Sequence, residues 1–462
     1  MPRKMTKALL AGALLSGVTG HATAGDGELE QLRAEMAQMR AELAQLRAQQ
    51  EGDWMTSARR AEIEGLIADA FADANQRASL LQEGALAGID DKGKIFLMSS
   101  DGTFNINFNG QVQFRYIWNS LDTDNTSGTR TSESLSGFQA RRMKFGMRGK
   151  VGDGWGFKYV FATMRGTGPG GGTAFSEDVY ITKDLGDGWE ILVGTNKLPF
   201  ARQEIISSTR QVGIDRGLAT EFFTLNRSDQ VAISHEAGDW QYVLALSDGG
   251  NADFTEFTAD ASTDFALTGR VDWMAMGEDW GENKHEFGGV DQDHLFIGAA
   301  VHYEVAEGSA GGLPEDGLAW TVDAVYKTGP LGLSAAFFGN HTDNGPTPDT
   351  DQYGLYVQGD VAVGNGWDVF GRWEWIDDDG VAGAGTDELQ AVTVGVNHHF
   401  NAKVKFTADV VWVYAGDNPT SDGNFINGGE LGSGLGLTST AFTAADDHDD
   451  QIALRLQLQL LF

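Results

Sequence analysis

Basic residues alternate with apolar ones in the stretch FQARRMKFGMRGK, at residues 138–150. Arg142, Lys144 and Arg148 have the same parity, and Met143, Phe145 and Met147 have the opposite parity. In a β-strand, residues two apart point to the same side, so these three cations would share one face. Clustered cations repel one another, but a basic wall lowers the barrier for an anion that moves along it. We therefore expect them to line a passage for anions. The alternative is that they pair with carboxylates on neighbouring strands, such as Glu177 or Asp178.

A second basic segment lies between residues 197 and 227. Its cations are Lys197, Arg202, Arg210, Arg216 and Arg227, and its carboxylates are Glu204, Asp215 and Glu221. Five positive charges minus three negative charges leave +2, in a chain whose formal net charge is −33. A basic segment inside an acidic protein is typical of an anion filter, so we predict that this segment constricts the passage. The acidity of the whole chain leaves a cation-preferring or non-selective pore as the alternative.

The elements that position these residues are predicted to be β-strands. From Phe104 onward, apolar and polar residues alternate with a period of two, which is typical of strands with one apolar face. About sixteen strands are predicted on this basis, and they start near residues 104, 138, 155, 177, 190, 230, 240, 264, 294, 318, 331, 352, 367, 387, 403 and 450. Short turns such as GDGW alternate with long polar loops. An even number of strands with this alternation is typical of an outer-membrane β-barrel.

Two details bear on this barrel. The tryptophans that follow short turns are expected in an aromatic girdle on the turn side of the membrane; they are Trp155, Trp189, Trp240 and Trp367. The connection 275–293 is long, although it falls on the short-turn side. A strand assignment that differs by one hairpin near this connection is therefore the alternative.

The last strand has one fully apolar face. The chain ends on QIALRLQLQLLF, in which every second residue from Ile452 to Phe462 is apolar. Such a strand would promote aggregation in water unless a partner strand and a bilayer covered it. We therefore expect it to pair with the first strand and close the barrel.

The N-terminal hundred residues have a different pattern. Residues 1–24 have the features of a Sec-type signal peptide, with basic residues, an apolar stretch and the cleavage site Ala22-Thr23-Ala24. Residues 25–52 contain leucine and methionine at 3-4-3-4-3 spacing from Leu29 to Leu46, which predicts a short helical coiled coil. A single amphipathic helix is the alternative. Residues 53–100 are predicted to be a helical segment and a linker, and residues 101–462 to be the barrel.

Composition and spacing exclude several other classes of protein. The chain has no cysteine, so it has no disulfide framework and no thiolate metal site. The only long uncharged apolar run is the signal peptide, which excludes a helical membrane protein, and the net charge of −33 makes nucleic acid a poor partner. Since no spacing suggests a nucleophile, base and orienting group, no enzyme activity, metal or cofactor is expected. The acidic runs Asp377–Asp379 and Asp446–Asp450 could hold divalent cations, or be solvated only.

A family resemblance rests on the C-terminal Phe462 and on three stretches, GQVQFRYIW, GFQARRMKFGMRGKVGDGWGFKYVF and VGTNKLPFARQEIISSTRQVGIDRG. Together these features resemble the phosphate-selective porin O and P family. The motif G-x-x-K-x-P-F places Lys197, Pro199 and Phe200 on the family pattern. The resemblance implies a trimer of sixteen-stranded barrels, each with a loop folded into the pore. The N-terminal segments resemble the extensions of porins from bacteria with unusual envelopes.

The sequence therefore predicts an all-β protein, a transmembrane antiparallel β-barrel of about 16 strands preceded by a short helical coiled coil. We expect it to be a homotrimer in outer-membrane lipid that lets small hydrophilic solutes diffuse, in particular anions such as phosphate. The N-terminal extension would be periplasmic, and a structural barrel tethered to the cell wall through the coiled coil is an alternative. The predicted pore-lining, anion-binding residues are Arg142, Lys144, Arg148, Lys197, Arg202, Arg210 and Arg216.

Overall fold

A computed structural model of the chain describes residues 38–40, 85–90, 95–124, 130–165, 172–254, 263, 265–305, 316–343, 349–378, 387–416 and 447–462. The chain divides into two units, Met1–Leu86 and Ala87–Phe462. In the first unit, residues 38–40 are helical. Most of the predicted signal peptide, coiled coil and helical segment lies outside the described residues. Within the described ranges, no helix has the length and apolarity needed to cross a membrane.

The described residues from Ala85 onward consist mainly of β-strands. The strands are β1 (Ala85–Ile89), β2 (Ile95–Ser99), β3 (Phe104–Asp124), β4 (Arg130–Val151), β5 (Trp155–Arg165), β6 (Gly172–Gly186), β7 (Trp189–Lys197), β8 (Arg227–Ala237), β9 (Trp240–Ser247), β10 (Phe265–Met276), β11 (His294–Val305), β12 (Asp316–Thr328), β13 (Leu331–Asp343), β14 (Thr350–Gly364), β15 (Trp367–Asp378), β16 (Asp387–Asn401), β17 (Val404–Gly416) and β18 (Asp447–Leu461). Among the described residues, three short helices lie between strands: α1 (Arg202–Ile205), α2 (Leu218–Phe223) and the 3-10 helix Trp280–Lys284.

Strands β3 to β18 form a closed antiparallel barrel of sixteen strands. Each strand pairs with the next along the chain, and β18 pairs with β3 from Leu461↔Gln111 to Asp447↔Asp124. The predicted strand number and the predicted closing pair are therefore confirmed. The largest difference in a starting residue is at β4, which begins at Arg130 instead of near residue 138. Residues 130–137, which are mostly polar, continue the ladder with β3 beyond the segment in which apolar and polar residues alternate.

The two faces of the barrel differ as the alternation predicts. On β4, Met143 and Phe145 are 43% and 44% exposed, whereas Arg142 is buried. An outer-membrane barrel exposes its apolar face to lipid and keeps its polar face inside, so the basic residues of β4 face the lumen. The girdle tryptophans Trp155, Trp189, Trp240 and Trp367 are exposed and begin their strands at the short-turn end.

Two short strands lie in the segment that was predicted to be a linker. β2 pairs with residues 105–108 of β3. The ladder between β3 and its other partner, β18, covers residues 111–124 of β3, and Phe462 adds backbone hydrogen bonds with Gly110, so it does not reach residues 105–108. β3 thus extends beyond β18 and would present an unpaired edge. β2 covers that edge, which explains why the segment is a strand.

Two connections enter the barrel from opposite ends. Residues 198–226, between β7 and β8, form what we call the constriction loop, which contains α1 and α2. Residues 277–293, between β10 and β11, form what we call the inserted turn, which contains the 3-10 helix. The strands on either side of the inserted turn begin at residues 265 and 294, close to the predicted 264 and 294, so no hairpin is hidden there. By the alternation of short turns and long loops, the inserted turn belongs to the periplasmic end.

An apolar cluster inside the barrel fixes one limb of the constriction loop. Leu218, Ala219 and Phe223 of α2 pack against apolar residues of the inner wall, which include Tyr356 and Ile376. The ring of Phe223 stacks on that of Phe338, with centroids 5.3 Å apart. The burial of these side chains stabilises the loop against the wall opposite β4 to β8.

Candidate functional site: the constricted lumen

The inner wall binds the backbone of the constriction loop at many points. Long polar side chains of β10 and β15 to β17 donate to loop carbonyl oxygens: Arg270 to Phe200 (2.7 Å), Arg372 to Arg216 (3.2 Å), Asn397 to Val212 (2.9 Å) and Lys405 to Gln211 (2.6 Å). The wall carboxylates Asp409 and Glu374 accept from the loop N–H groups of Ile214 and Ala219. A loop buried in a barrel has to satisfy its backbone groups in this way, so the wall residues hold it across the lumen.

The most basic part of the site surrounds Asp215 of the constriction loop. Its carboxylate contacts four guanidinium groups: Arg115 at 2.7 Å, Arg141 at 3.2 Å, Arg142 at 3.2 Å and Arg455 at 3.3 Å. Arg455 also forms a bidentate pair with Asp409 of β17. Four arginines and two aspartates leave a local charge of +2.

A β-bulge explains how two consecutive arginines reach the same carboxylate. Gln113 of β3 pairs with Arg142 and Phe114 pairs with Ala140, so Arg141 has no partner of its own in the ladder. An extra residue in one strand changes the direction of its side chain. Arg141 therefore points into the lumen beside Arg142, although strict alternation would place it on the lipid face.

The arginines keep Asp215 ionised. Burial alone would raise the pKa of its carboxyl group, but Arg141, Arg115, Arg142 and Arg455 hold that pKa well below the usual value of 3.8. Since the carboxylate is charged at any physiological pH, it is a permanent link between the loop and the strands β3, β4 and β18.

A second ion-pair cluster joins the two limbs of the constriction loop. Arg216 contacts Glu204 at 2.6 Å and Glu221 at 3.0 Å, and the ammonium group of Lys197 donates to the carbonyl oxygen of Glu204. Burial would raise the pKa of Glu204, but the positive charges of Arg216 and Lys197 lower it below 4.5. Lys197 and Arg216 thus stabilise the conformation of the loop.

A third cluster lies on the wall formed by β4, β5, β6 and β8. Lys144 contacts Glu177 at 2.6 Å, and Lys158 contacts Asp178 at 2.6 Å. Arg227 contacts both carboxylates, at 3.3 Å and 2.7 Å. For Lys144, the sequence left pairing with a neighbouring carboxylate as the alternative, and this is the arrangement in the structure.

Two of the predicted cations are exposed and have no carboxylate partner among the described residues. Arg148 is on the inward parity of β4, and its cross-strand neighbour on β5 is another cation, Lys158. Arg210 is on the constriction loop, where its carbonyl oxygen accepts a hydrogen bond from Glu286. Like charges directly opposite each other destabilise a sheet, so the pair of Arg148 and Lys158 has no evident structural benefit.

The inserted turn contributes further polar groups to the lumen. Lys327 of β12 donates to the carbonyl oxygen of Glu282 at 2.7 Å and lies 3.0 Å from Nδ1 of His285. Burial lowers the pKa of His285 to about 4; Lys327, Arg202 and Arg210 act in the same direction, against the opposing effect of Glu282. His285 is therefore neutral at neutral pH. Arg202 donates to Asn283 and to the carbonyl oxygen of His285, and no described carboxylate pairs with it.

Four of the seven predicted cations lie in these three clusters. Arg142 lies with Asp215, whereas Lys197 and Arg216 lie with Glu204, and Lys144 lies on the β4 to β8 wall. Three arginines at Asp215 were not predicted: Arg115, Arg141 and Arg455. The alternation did place Arg115 and Arg455 on polar faces, and a search for every basic residue on such faces would have found both. Arg141 needs the bulge, which the sequence does not indicate.

The described residues include no group of three or more His, Asp or Glu side chains that could bind a metal ion. The acidic runs at 377–379 and 446–450 lie partly outside the described residues, so the predicted divalent cations on these loops stay a prediction.

The family model for phosphate-selective porin O and P matches residues 110–427, more than half of the chain. The chain belongs to this porin family. Its fold is similar to that of the anion-selective porin from Comamonas acidovorans, with a TM-score of 0.51, 15% identity, and coverage of 78% of this chain and 100% of that one. It is also similar to the outer-membrane channel DcaP of Acinetobacter baumannii, with a TM-score of 0.51, 13% identity, and coverage of 79% and 99%.

A third solved structure, Salmonella typhi OmpF in complex with daunomycin, gives a TM-score of 0.52 at 12% identity and covers 78% of this porin and 98% of that chain. At such low identities, the likeness concerns the fold alone. No curated protein sequence matches the chain. The family and the barrel together show that the protein is an outer-membrane channel.

Proposed function

We propose that this porin allows small hydrophilic anions, such as phosphate, to diffuse across the outer membrane. One observation supports the choice of anions. Arg148 and Arg210 are exposed and unpaired with any described carboxylate, whereas Glu177 and Asp215 are paired with cations and Glu286 is buried. A permeating ion would therefore meet positive charges that no described carboxylate offsets by a direct ion pair.

The net charge of the chain does not decide the selectivity. An ion in the lumen passes close to the nearest side chains, whereas charges more than about 8 Å away through water are screened at physiological salt. Arg148 and Arg210 should for this reason outweigh the acidic loops at the mouth of the barrel.

The proposal is tested by removing these two cations and measuring the zero-current potential across a planar bilayer under a KCl gradient. We expect Arg148→Gln and Arg210→Gln together to shift the potential toward cation preference while single-channel steps persist. The matched controls Arg148→Lys and Arg210→Lys keep the charge and should retain the wild-type potential. An unchanged potential in the double Gln variant would contradict the proposal. Charge reversal at Arg142 or Lys197 is a less direct test, because both side chains hold the constriction loop.

A second candidate is a pore with little charge preference. The observation in its favour is that cations of the inner wall are paired with carboxylates: Lys144, Lys158 and Arg227 contact Glu177 and Asp178, and three positive charges minus two negative charges leave only +1. A comparison of KCl with potassium phosphate distinguishes the candidates: an anion channel should give a zero-current potential that depends on the anion, and a weakly selective pore should give one near zero.

We also propose the homotrimer, the surrounding outer-membrane lipid and the periplasmic N-terminal extension that the family resemblance implies. The coiled coil would then link the barrel to the cell wall. A structural barrel that does not conduct is the alternative, and single-channel steps in a planar bilayer would contradict it.

A further inference from the structure

The inserted turn and the constriction loop meet inside the barrel, and Glu286 is at the centre of the contact. One carboxylate oxygen of Glu286 accepts a hydrogen bond from the side-chain amide of Gln203 at 2.8 Å, and the other accepts from the N–H group of Val212 at 2.8 Å. Its own N–H group donates to the carbonyl oxygen of Arg210 at 3.1 Å. Glu286 is 5% exposed. Its three hydrogen bonds all go to the constriction loop.

A second contact runs in the opposite direction, from the loop to the turn. Arg202 of α1 donates to the side chain of Asn283 at 2.9 Å and to the carbonyl oxygens of Asn283 and His285 at 3.1 and 3.2 Å. Arg202 and Gln203 are adjacent in α1, so this short helix takes part in both contacts with the inserted turn. The turn and the loop are therefore joined by charged hydrogen bonds, which are stronger than neutral ones.

The turn itself is attached to the wall. Lys327 of β12 binds Glu282, and Asp360 of β14 accepts from the N–H group of Gly288 at 2.7 Å. The N–H groups of Gly289 and Val290 donate to the carbonyl oxygen of Gly329, in the neighbouring short turn. A turn fixed in this way can transmit the position of the periplasmic rim to the constriction loop.

We propose that Glu286 is a positioning residue, through which the inserted turn holds the constriction loop from the periplasmic side. The width of the pore is then set jointly by a loop from the outside and a turn from the inside. The inference rests on the proposed function only in requiring a conducting channel, and it does not depend on which ions the channel prefers. The competing explanation is that the other wall contacts, such as those of Lys405 and Asn397, fix the loop without the turn.

The test measures how often the loop leaves the turn. Because the chain contains no cysteine, Val212→Cys gives a single thiol at a position that is 0% exposed. In that background, Glu286→Ala should increase the rate of modification by a small water-soluble thiol reagent by about tenfold or more, because a charged hydrogen bond to a buried N–H group is lost. Asp291→Ala removes a carboxylate from an exposed position of the same turn and should leave the rate within about twofold of the Val212→Cys parent.

The second measurement is conductance. Glu286→Ala should give larger and more variable single-channel steps than the wild type, and Asp291→Ala should not. Equal labelling rates and equal steps in Glu286→Ala and Asp291→Ala would overturn the proposal. If the alanine variant does not give a heat-modifiable barrel on an unboiled gel, Glu286→Gln, which keeps the size and one acceptor oxygen, replaces it with the same two outcomes.

The test of Glu286 and the test of anion preference can fail independently of each other. A wild-type channel that prefers cations would contradict the anion proposal, and the labelling difference would still support the role of Glu286. Conversely, an anion-selective wild type with no labelling difference would contradict only the role of Glu286.

Discussion

Asp215→Asn should release the constriction loop from the wall of β3, β4 and β18. Arg141 and Arg142 contact one oxygen of the carboxylate, and Arg115 and Arg455 contact the other. Whichever oxygen the amide nitrogen replaces, two arginines lose their acceptor. Removal of one partner from a buried ion pair costs about 3–5 kcal/mol. We expect a cost at the lower end of this range, about 3 kcal/mol, because the remaining oxygen still accepts hydrogen bonds from two arginines. This cost corresponds to roughly a hundredfold increase in the fraction of molecules whose constriction loop has left the wall.

Trypsin digestion of the folded barrel measures this population, since cleavage within the loop after Arg202, Arg210 or Arg216 requires the segment to leave the lumen. The matched control is Asp187→Asn, at an exposed turn position with a φ of 52°, which asparagine adopts well. Cleavage of Asp215→Asn should be faster than that of the wild type by about two orders of magnitude, and that of Asp187→Asn unchanged. Rates within about twofold of wild type for Asp215→Asn would refute the idea that the arginine cluster holds the loop.

Three further predictions concern other parts of the chain. Deletion of Phe462 removes its two backbone hydrogen bonds with Gly110, which together contribute about 1–3 kcal/mol. We therefore expect less protein in the outer membrane, but normal heat-modifiable migration of the barrels that do form. Equal yields of the deletion variant and the wild type would contradict a role of Phe462 in assembly. Acidification from pH 6.5 to about 4 should loosen the inserted turn, because His285 binds a proton when it is released into water but not when it is buried. Over this range the conductance should become noisier in the wild type and less so in His285→Gln. Identical pH profiles would contradict the role of His285. The third change places aspartate at three predicted d positions of the coiled coil, Leu32, Met39 and Leu46. It should abolish crosslinking between N-terminal extensions while the barrel still inserts, because charges in the seam oppose association. Unchanged crosslinking would contradict a coiled coil.

The barrel could be predicted from the sequence because its strands alternate in lipid. Each membrane-facing position has to be apolar and each inward position is polar, so the period of two fixes both the strands and their faces. The prediction was least accurate at β4, because residues 130–137 are mostly polar and lack the alternation of apolar and polar residues. The segment before β3 was predicted to be a linker, because β1 and β2 are too short to show an alternation.

The pairing of charges could not be predicted from the sequence. Asp215 and Arg455 are 240 positions apart, and their contact depends on the path of the constriction loop across the lumen. The alternation shows that Arg142 and Lys144 face inward, but not that the first meets Asp215 and the second meets Glu177. The inserted turn was noticed only as a connection that was too long, since none of its residues has a pattern that indicates contact with the constriction loop.

The proposed function depends most on the sign of the ions that the open channel prefers. The direct measurement is the zero-current potential of wild-type channels in a planar bilayer of neutral lipid, with KCl more concentrated on one side. We predict the sign given by chloride moving faster than potassium, and a decrease in its magnitude at high salt, where the positive charges of Arg148 and Arg210 are screened. A potential of the opposite sign at low salt would contradict the proposed preference for anions.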